Sequence, residues 1–205
     1  MNFNNEMLPP IQNPEYFPGK LVVIINEYFN KHKHIKENSI EYWKDFVSNY
    51  FTEKCKYSII ISQEGKDWTF NSGYKTLPLI LKDKYDENLS LLSVNLDDPE
   101  EYQISENKHL LIINNFSKFE KYSDNLVITN GKLRVLFNYD LKIEIYEFIS
   151  KNYNQIPTKD VSCSLVNDFG ITPQFSRTLI ISEALTEMYQ TINEFIDKFE
   201  NKFII

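Results

Sequence analysis

Apolar residues recur along this chain either with the spacing of a helix or with the alternation of a strand. The positions at which one pattern gives way to the other divide the chain into predicted elements. Residues 1–19, in which prolines are mixed with Asn and Glu, have neither period and predict an extended arm. Residues 21–29 are ambiguous, because their β-branched side chains favour a strand while their position before a turn allows a short helix. Of the two, we favour the helix.

The clearest helical pattern lies between residues 38 and 51. Asn38, followed three residues later by Glu41, predicts a capping box, in which side chains satisfy the free N–H groups of a helix start. Apolar residues then recur at helical spacing, which predicts one buried face. The aromatic residues predicted to form core on this face are Trp43, Phe46, Tyr50 and Phe51.

Two extended runs and a polar segment follow. Residues 56–62 and 67–71 flank a turn that contains Gly65, and this arrangement predicts a hairpin. Residues 77–85 predict a short helix broken at Pro78. The acidic and polar stretch 97–108 predicts a loop.

A second group of extended segments occupies residues 109–151, and Pro157 is expected to end it. The pair Asn130-Gly131 lies between two β-rich runs and predicts a type I′ hairpin turn, because both residues tolerate positive φ. We therefore expect four antiparallel strands, at residues 109–116, 125–129, 132–138 and 142–151.

From Thr172 onward the sequence predicts a long helix, with Thr172 as N-cap and Pro173 at the first helical position. Its first turns carry apolar residues around most of the circumference, so one side is expected to be left for a partner. Later apolar residues repeat in steps of four and three, as in a coiled-coil seam. That seam comprises Ile181, Leu185, Met188, Ile192, Phe195 and Phe199.

Together these elements predict an α+β fold, in which a curved antiparallel sheet of four to six strands packs on N-terminal helices and is followed by a long C-terminal helix. The length of 205 residues fits one large domain. We assign residues 1–19 to the arm, residues 20–160 to the domain, and residues 161–205 to a connector and the C-terminal helix.

Charge and cysteine content restrict the partners and the compartment. A net charge of −7 and a pI of about 5.1 argue against direct binding to nucleic acid, which requires clustered Lys and Arg. The longest purely aliphatic run, residues 21–25, is too short to cross a membrane. Cys55 and Cys163 form neither a disulfide framework nor a metal motif, which fits a reducing, intracellular compartment.

Candidate chemistry is sparse. His32 and His34 lack further ligands nearby, so they are predicted to be solvated, and His109 is predicted to be structural. The carboxylates at residues 97–98 and 100–101 are predicted to be solvated in a loop. No nucleotide-binding, hydrolase or metalloprotease motif is present, and we predict no catalytic, cofactor-binding or metal-binding residue.

Several stretches, taken in order, resemble one family. They are the Trp43 helix running into an apolar strand, the pair Leu77-Pro78, residues 127–137 on to Pro157, and the tail from Asn167 through Thr172. In this order they resemble the LIM-domain-binding protein family, also called nuclear LIM interactor or Chip, whose members are dimerising adaptors of transcription complexes. The resemblance spans about residues 38–196, and the order of its motifs is more specific than any one of them.

The resemblance implies a cystatin-like cone, as in nuclear transport factor 2, in a non-enzymatic nuclear adaptor that forms homodimers. It also implies a LUFS/LisH-domain partner, as in fungal regulators of filamentous growth, whereas the family's LIM-interaction peptide has no counterpart here. The residues expected to contact that partner are Gly170, Ile171, Phe175, Leu179, Ile180, Ile181, Leu185, Met188 and Ile192.

A second interpretation stays open, in which the interior of the cone binds a small molecule or performs catalysis. An open apolar pocket that holds one buried carboxylate or histidine would favour this interpretation. A filled core would favour the adaptor.

Overall fold

The computed structural model describes residues 19–203 except 34, 36, 64, 87 and 159–163, without the side chains of residues 63 and 196–203. Residues 1–18 of the predicted arm lie outside this range. In chain order the elements are α1 (Lys20–Lys33), α2 (Ile40–Tyr50), β1 (Phe51–Gln63), β2 (Lys66–Gly73), α3 (Leu77–Asp86), β3 (Leu91–Ser105), β4 (Lys108–Lys121), β5 (Asn125–Phe137), β6 (Ile143–Pro157) and α4 (Pro173–Phe203).

The six strands form one sheet in the order β2-β1-β6-β5-β4-β3. Register shifts interrupt the pairing within β3, β4, β5 and β6, and such bulges bend and twist a sheet. The predicted α+β class, with a curved sheet, N-terminal helices and a long C-terminal helix, is confirmed. One detail differs, because β1 pairs with β6 in parallel while every other neighbouring pair is antiparallel.

The helices α1 and α2 begin close to the predicted positions, but the cap of α2 is one residue later than expected. Ser39 is the N-cap, and its hydroxyl accepts a hydrogen bond from the backbone N–H of Tyr42. Asn38 instead accepts a hydrogen bond from Nε1 of Trp43 at 2.7 Å, which satisfies a buried indole N–H. The ambiguous residues 21–29 are helical, as we favoured.

The prediction of a turn at Asn130-Gly131 is wrong, because β5 continues through both residues. A Cβ built on Gly131 would lie 2.0 Å from the carbonyl oxygen of Ile149, so glycine is needed for close approach of two strands. Buried and half-buried residues alternate along β5 from Asn125 through Val135, which marks one unbroken strand across Asn130-Gly131.

The predicted loop at residues 97–108 is also wrong, because this stretch forms most of β3 and the start of β4. Since β3 lies at the edge of the sheet, residues 97–99 stay exposed and the edge tolerates Pro99. Glu100 and Glu101 are half-buried, so the prediction that these two carboxylates are solvated is wrong. Glu101 accepts hydrogen bonds from the backbone N–H groups of Gly19 and Val22, so it satisfies the start of α1. Burial raises the pKa of Glu101 although both hydrogen bonds oppose that shift.

The helices α1–α3 cover one face of the sheet and form the core with it. Aromatic rings fill this region, and Tyr28 of α1 lies 5.4 Å from Phe46 and 6.2 Å from Tyr146, measured between ring centroids. Trp43, Phe46 and Phe51 are buried, whereas Tyr50 is only half-buried. Pro78 lies in the first turn of α3, where no N–H is required, so the helix is not broken there.

Candidate protein-interaction surface on the C-terminal helix

The start of α4 is anchored to the domain. Thr172 accepts a hydrogen bond from the backbone N–H of Phe175, as predicted for an N-cap. Phe175 and Leu179 are buried in the core, and the carboxylate of Asp83 on α3 accepts hydrogen bonds from Gln174 and Thr178, both at 2.8 Å. The first two turns of α4 are therefore held by apolar burial and by α3.

The next two turns of α4 contact strand β2 through small polar groups. Glu183 accepts a hydrogen bond from the backbone N–H of Asn71 at 3.1 Å. The hydroxyl of Thr186 lies 3.2 Å from the backbone nitrogen of Gly73 and 3.0 Å from the hydroxyl of Thr76. These contacts fix the side of the helix that faces the domain and turn its other side toward solvent.

The solvent side of α4 carries an apolar stripe, which we call the α4 seam: Ile181, Leu185, Met188 and Ile192. Its spacing in steps of four and three places these residues on one face. Ile181 is 59% exposed and Ile192 is 45% exposed, while Leu185 is half-buried. These four residues therefore present an apolar face to solvent in the part of the chain that the structure describes. The side chain of Phe199, also predicted to belong to the seam, lies outside the described residues.

The seam begins beside a groove of about 480 Å3, which we call the α3–α4 groove. Its apolar wall is formed by Ile40, Leu79, Ile181 and Leu185, and its polar rim includes Lys82, Asp83 and Asp86. Leu79 is 46% exposed and points away from the core that its neighbours Leu77 and Ile80 enter. Seam and groove share Ile181 and Leu185, so together they form one continuous surface.

The structure separates the predicted partner-contact residues into two sets. Ile180, Ile181, Met188 and Ile192 are exposed on α4, whereas Phe175 and Leu179 are buried in this chain's own core. The expectation that Leu179 faces outward is therefore wrong, because the helix is anchored by this side chain.

Gly170 and Ile171 lie in the connector before α4, not on the helix itself. Gly170 has φ of 72°, and a Cβ there would lie 2.4 Å from the ring of Tyr153, so close packing and the backbone both require glycine. Ile171 is half-buried against the core.

The sequence analysis did not identify Leu79 and Ile40 as members of this surface. Leu79 lies between the buried residues Pro78 and Ile80, and this position was the available signal that its side chain points away from the core.

The interior of the fold contains two titratable groups that bear on the alternative interpretation. The prediction that His32 is solvated is wrong, because its side chain is buried. Burial, together with the nearby charge of Lys84, lowers the pKa of His32 to about 3. Its ring lies 4.6 Å from Phe46 and 5.2 Å from Trp43, between centroids. Aromatic side chains therefore occupy the space around this histidine. Its sequence neighbour His34 lies outside the described residues.

The second interior group is Glu120, a buried carboxylate held between two lysines. Its oxygens lie 2.5 Å from Nζ of Lys84 and 2.9 Å from Nζ of Lys118. Burial raises the pKa of Glu120, but both ammonium groups outweigh burial and hold it at about 2. The carboxylate is thus ionised at neutral pH, which suits a structural ion cluster rather than a general base. Neither His32 nor Glu120 lines the groove between α3 and α4, the groove beside Gly73 and Tyr189, or the groove beside Tyr153 and Phe169.

Other candidate chemistry is also placed by the structure. Cys55 is buried and its pKa is raised to about 12 by burial, while Cys163 lies outside the described residues. His109 is buried on β4. Within the described ranges, no three His, Cys, Asp or Glu side chains are grouped so that they could hold a metal ion. No described helix has the length and apolar character needed to span a membrane.

The fold defines a class of protein, an α+β domain in which a curved sheet packs on N-terminal helices and is followed by a long C-terminal helix. The sequence model of the LIM-domain binding protein family matches residues 21–161. The chain belongs to this family, as the resemblance predicted. The match covers the domain from α1 through β6 and does not include α4.

Two relatives from Arabidopsis thaliana have related sequences. The transcriptional corepressor SEUSS is 24% identical over 94% of this chain and 25% of its own length. The probable transcriptional regulator SLK1 is 22% identical over 64% of this chain and 21% of its own length. The chain thus spans about a quarter of the length of these relatives.

Solved structures are similar to this chain to different degrees. A naphthalene 1,2-dioxygenase chain has a TM-score of 0.50 at 6% identity and covers 65% of this chain and 78% of that chain. An NTF2-like protein from Exiguobacterium has a TM-score of 0.42 at 10% identity over 64% of this chain and 98% of that chain. At such low identity the likeness to the dioxygenase concerns the fold alone.

Proposed function

We propose that this protein is a non-enzymatic, homodimerising adaptor that assembles transcription cofactor complexes in the nucleus. In this proposal the sheet forms the dimer and the α4 seam binds a LUFS/LisH-domain partner. The single observation that carries the proposal is the uncovered seam on a helix whose opposite side is already fixed to the domain.

The seam supports a binding role for a physical reason. Beyond Thr186, α4 contacts the domain through Tyr189, whose ring centroid lies 4.9 Å from Nζ of Lys75. The helix nevertheless continues to Phe203, which is about 25 Å further at 1.5 Å per residue. A helix gains most of its stability from packing of its apolar face. A partner helix packed on the seam would therefore stabilise the part of α4 that continues beyond Thr186.

The sheet supports dimerisation through the face that α1–α3 leave uncovered. The register places aliphatic and aromatic side chains on this outer face, and all of them are half-buried and absent from the core: Ile112, Phe119, Ile128, Ile145 and Ile149. Arg134 and Glu147 form an ion pair at 2.9 Å on the same face. A two-fold axis on such a face would bury one self-complementary patch in both subunits.

The transcriptional role rests on the relatives, which are a transcriptional corepressor and a probable transcriptional regulator. The match spans 25% of one relative and 21% of the other, so the adaptor role proposed here concerns the part that they share. The proposed nuclear location follows from the same relatives.

The non-enzymatic character is supported by the filled interior. Rings pack around His32, and Glu120 is neutralised by two lysines, so neither group meets an open cavity among the described grooves. A catalytic acid or base needs access to substrate and a pKa near the working pH.

The partner-binding proposal is tested by charged substitutions on the seam. Met188→Asp and Ile192→Asp are expected to weaken binding of the LUFS-domain protein from the same organism by at least about tenfold, since each places a desolvated charge in an apolar interface. Val23→Asp is the matched control, because Val23 is 54% exposed on α1, which packs at the opposite edge of the sheet. Seam variants that melt normally and keep full binding would contradict the proposal.

Dimerisation is tested by light scattering across a tenfold concentration range. We expect a mass of two chains at micromolar concentration, and Ile149→Glu on the outer sheet face should reduce it toward one chain. A mass of one chain for the unaltered protein at every concentration would refute the dimer. A dimer that Ile149→Glu leaves intact would place the interface elsewhere.

A further inference from the structure

Three charged side chains meet in the interior of the fold, and their charges do not cancel. One carboxylate oxygen of Glu120 lies 2.5 Å from Nζ of Lys84, and the other lies 2.9 Å from Nζ of Lys118. The side chain of Glu120 is 5% exposed, and those of the two lysines are 14% and 13% exposed. One carboxylate therefore serves two ammonium groups, and the cluster carries a surplus of one positive charge.

The surplus is not offset by a second carboxylate among the described residues, since Lys84 and Lys118 both form their ion pairs with Glu120. Burial lowers the pKa of Lys118 to about 8, while Glu120 opposes this shift and the like charge of Lys84 adds to it. A lysine with this pKa is still mostly protonated at neutral pH, so the surplus charge remains.

Aromatic rings also contact the two ammonium groups. Nζ of Lys84 lies 5.7 Å from the ring centroid of Phe175, and Nζ of Lys118 lies 5.5 Å from that of Phe148. The face of a ring attracts a cation but has no net charge. The rings therefore favour the positions of the lysines without neutralising the cluster.

A hydroxyl group without a hydrogen-bond partner lies beside the cluster. Thr129 on β5 is the cross-strand partner of Lys118, and directly opposed side chains lie about 5 Å apart between Cβ atoms. Thr129 is 4% exposed, and its Oγ1 has no hydrogen-bond partner in the part of the chain that the structure describes. A buried hydroxyl in this state destabilises a fold, so an acceptor at this position would be favourable.

We propose that Lys84, Lys118 and Thr129 bind a small monovalent anion of about the size of chloride, on the side of the ammonium groups away from Glu120. The ion offsets the surplus positive charge and accepts the hydrogen bond of the Thr129 hydroxyl. Solvent reaches both lysine side chains, so an ion little larger than water also has access. A divalent anion would only reverse the sign of the buried charge, which is costly in either sign.

The ion has a consequence for the support of α4. Lys84 belongs to α3, and its neighbour Asp83 accepts the hydrogen bonds of Gln174 and Thr178 at the start of α4. An anion that holds Lys84 in place therefore stabilises the helix to which α4 is anchored.

Thermal unfolding in two salts tests the proposal. Melting temperatures of the full chain are measured by calorimetry in sodium chloride and in sodium gluconate, whose anion is too large for the site. Equal ionic strength screens surface charges equally in both salts. We expect the melting temperature to be at least about 3 °C higher in about 0.2 M chloride, because an ion that binds only the folded chain stabilises it by mass action.

Two substitutions connect the salt effect to this cluster. Lys118→Met leaves a neutral pair of Lys84 and Glu120, so the difference between chloride and gluconate should disappear while the chain stays folded. Thr129→Val retains the shape of the side chain and removes the hydroxyl, so it should reduce the difference.

Matched controls change the same residue types at exposed positions. Lys108→Met removes the lysine of an exposed pair with Glu144 on the strand that also carries Lys118. Thr69→Val alters an exposed threonine on β2. Both controls should keep the whole difference between the two salts.

Crystals grown in sodium bromide locate the ion directly, because bromide replaces chloride and scatters anomalously. We expect a peak in contact with Nζ of Lys84 and Nζ of Lys118. Peaks at exposed lysines alone, or equal melting temperatures of the unaltered chain in the two salts, would overturn the proposal. A Lys118→Met variant that keeps the whole chloride effect would also overturn it, since the effect would then arise at the surface.

Discussion

The core beneath α1–α3 and the C-terminal helix α4 are stabilised in opposite ways. Beneath α1–α3, rings such as Tyr28, Trp43 and Phe46 contact one another at centroid distances of about 5–6 Å and exclude solvent. On α4, small polar groups hold one side of the helix to β2 while large apolar groups face outward. The core thus provides the stability of the fold, and α4 keeps its apolar surface exposed to solvent.

This contrast predicts that substitutions in the two regions separate stability from binding. In the core, a change should alter the free energy of unfolding and affect binding only through loss of the fold. On the α4 seam, a change should alter binding at nearly constant stability. The following predictions test this division.

Trp43→Ala is expected to have the largest effect, a loss of about 3–5 kcal/mol in the free energy of unfolding, because the indole is fully buried and its N–H is bonded to Asn38. Denaturant unfolding measures the change. Trp68→Ala is the matched control, since Trp68 is 36% exposed and should cost much less. Similar losses for the two tryptophans would contradict the assignment of Trp43 to the core.

Gly131→Ala should destabilise the chain by about 1–3 kcal/mol, because the added methyl group meets the backbone of Ile149 on β6 and overpacks the sheet. Gly65→Ala is a useful comparison. A Cβ at Gly65 meets nothing, so its cost arises from the positive φ of 75° alone. If Gly131→Ala is harmless in thermal unfolding, the close approach of β5 and β6 is not as tight as described.

His32 makes the core sensitive to acid. Its folded pKa of about 3 lies below the ordinary value of 6.5, so the unfolded chain binds a proton that the folded chain excludes. The stability is complete above the unfolded pKa and falls as pH decreases, by about 1.4 kcal/mol per unit for this one group.

His32→Phe should reduce the slope of stability against pH between 6.5 and 4.5, the window above the ordinary pKa of Glu120. His109, whose pKa burial also lowers, contributes in the same window and leaves a residual slope. Urea unfolding at several pH values measures the difference between the two proteins. An unchanged slope would show that His32 is protonated equally in the folded and unfolded states.

Ile192→Asp should have the smallest effect on stability, within about 0.5 kcal/mol, because the side chain is 45% exposed and is not part of the core cluster. Differential scanning calorimetry gives the comparison with the unaltered protein. A large loss of stability would mean that the seam already packs against this chain. The distinction between a stabilising core and an exposed α4 would then be wrong.

Sequence periodicity predicted the helices well, because α2 and α4 have long regular patterns. The predicted N-cap of α4, Thr172, is confirmed, and the predicted N-cap of α2, Asn38, lies one residue before the observed cap Ser39. It failed at Asn130-Gly131, where the dipeptide resembles a turn but the alternation of β5 continues through it. It also failed at the polar strand β3, since an edge strand needs little apolar surface. In both places tertiary contacts with a neighbouring strand override the local signal.

The candidate surface was predicted only in part. The spacing of the α4 seam is local information, and the seam residues were identified from it. The direction in which the helix is anchored is not local, because it depends on β2 and on Asp83 of α3, so Leu179 was assigned to the wrong side. Leu79 was missed because its exposure follows from how α3 packs on α4.

The parallel pairing of β1 with β6 has a consequence for how the chain is made. Ile59 pairs with Phe148, about 90 residues later in the sequence, and such distant contacts slow the folding of a domain. During synthesis β1 has β2 on one side, but its other edge stays unpaired until the ribosome has released β6. That edge displays the run from Tyr57 to Ile61, which is an aggregation hazard while it is open. The nascent chain therefore depends on protection of β1 until nearly the whole sheet has emerged.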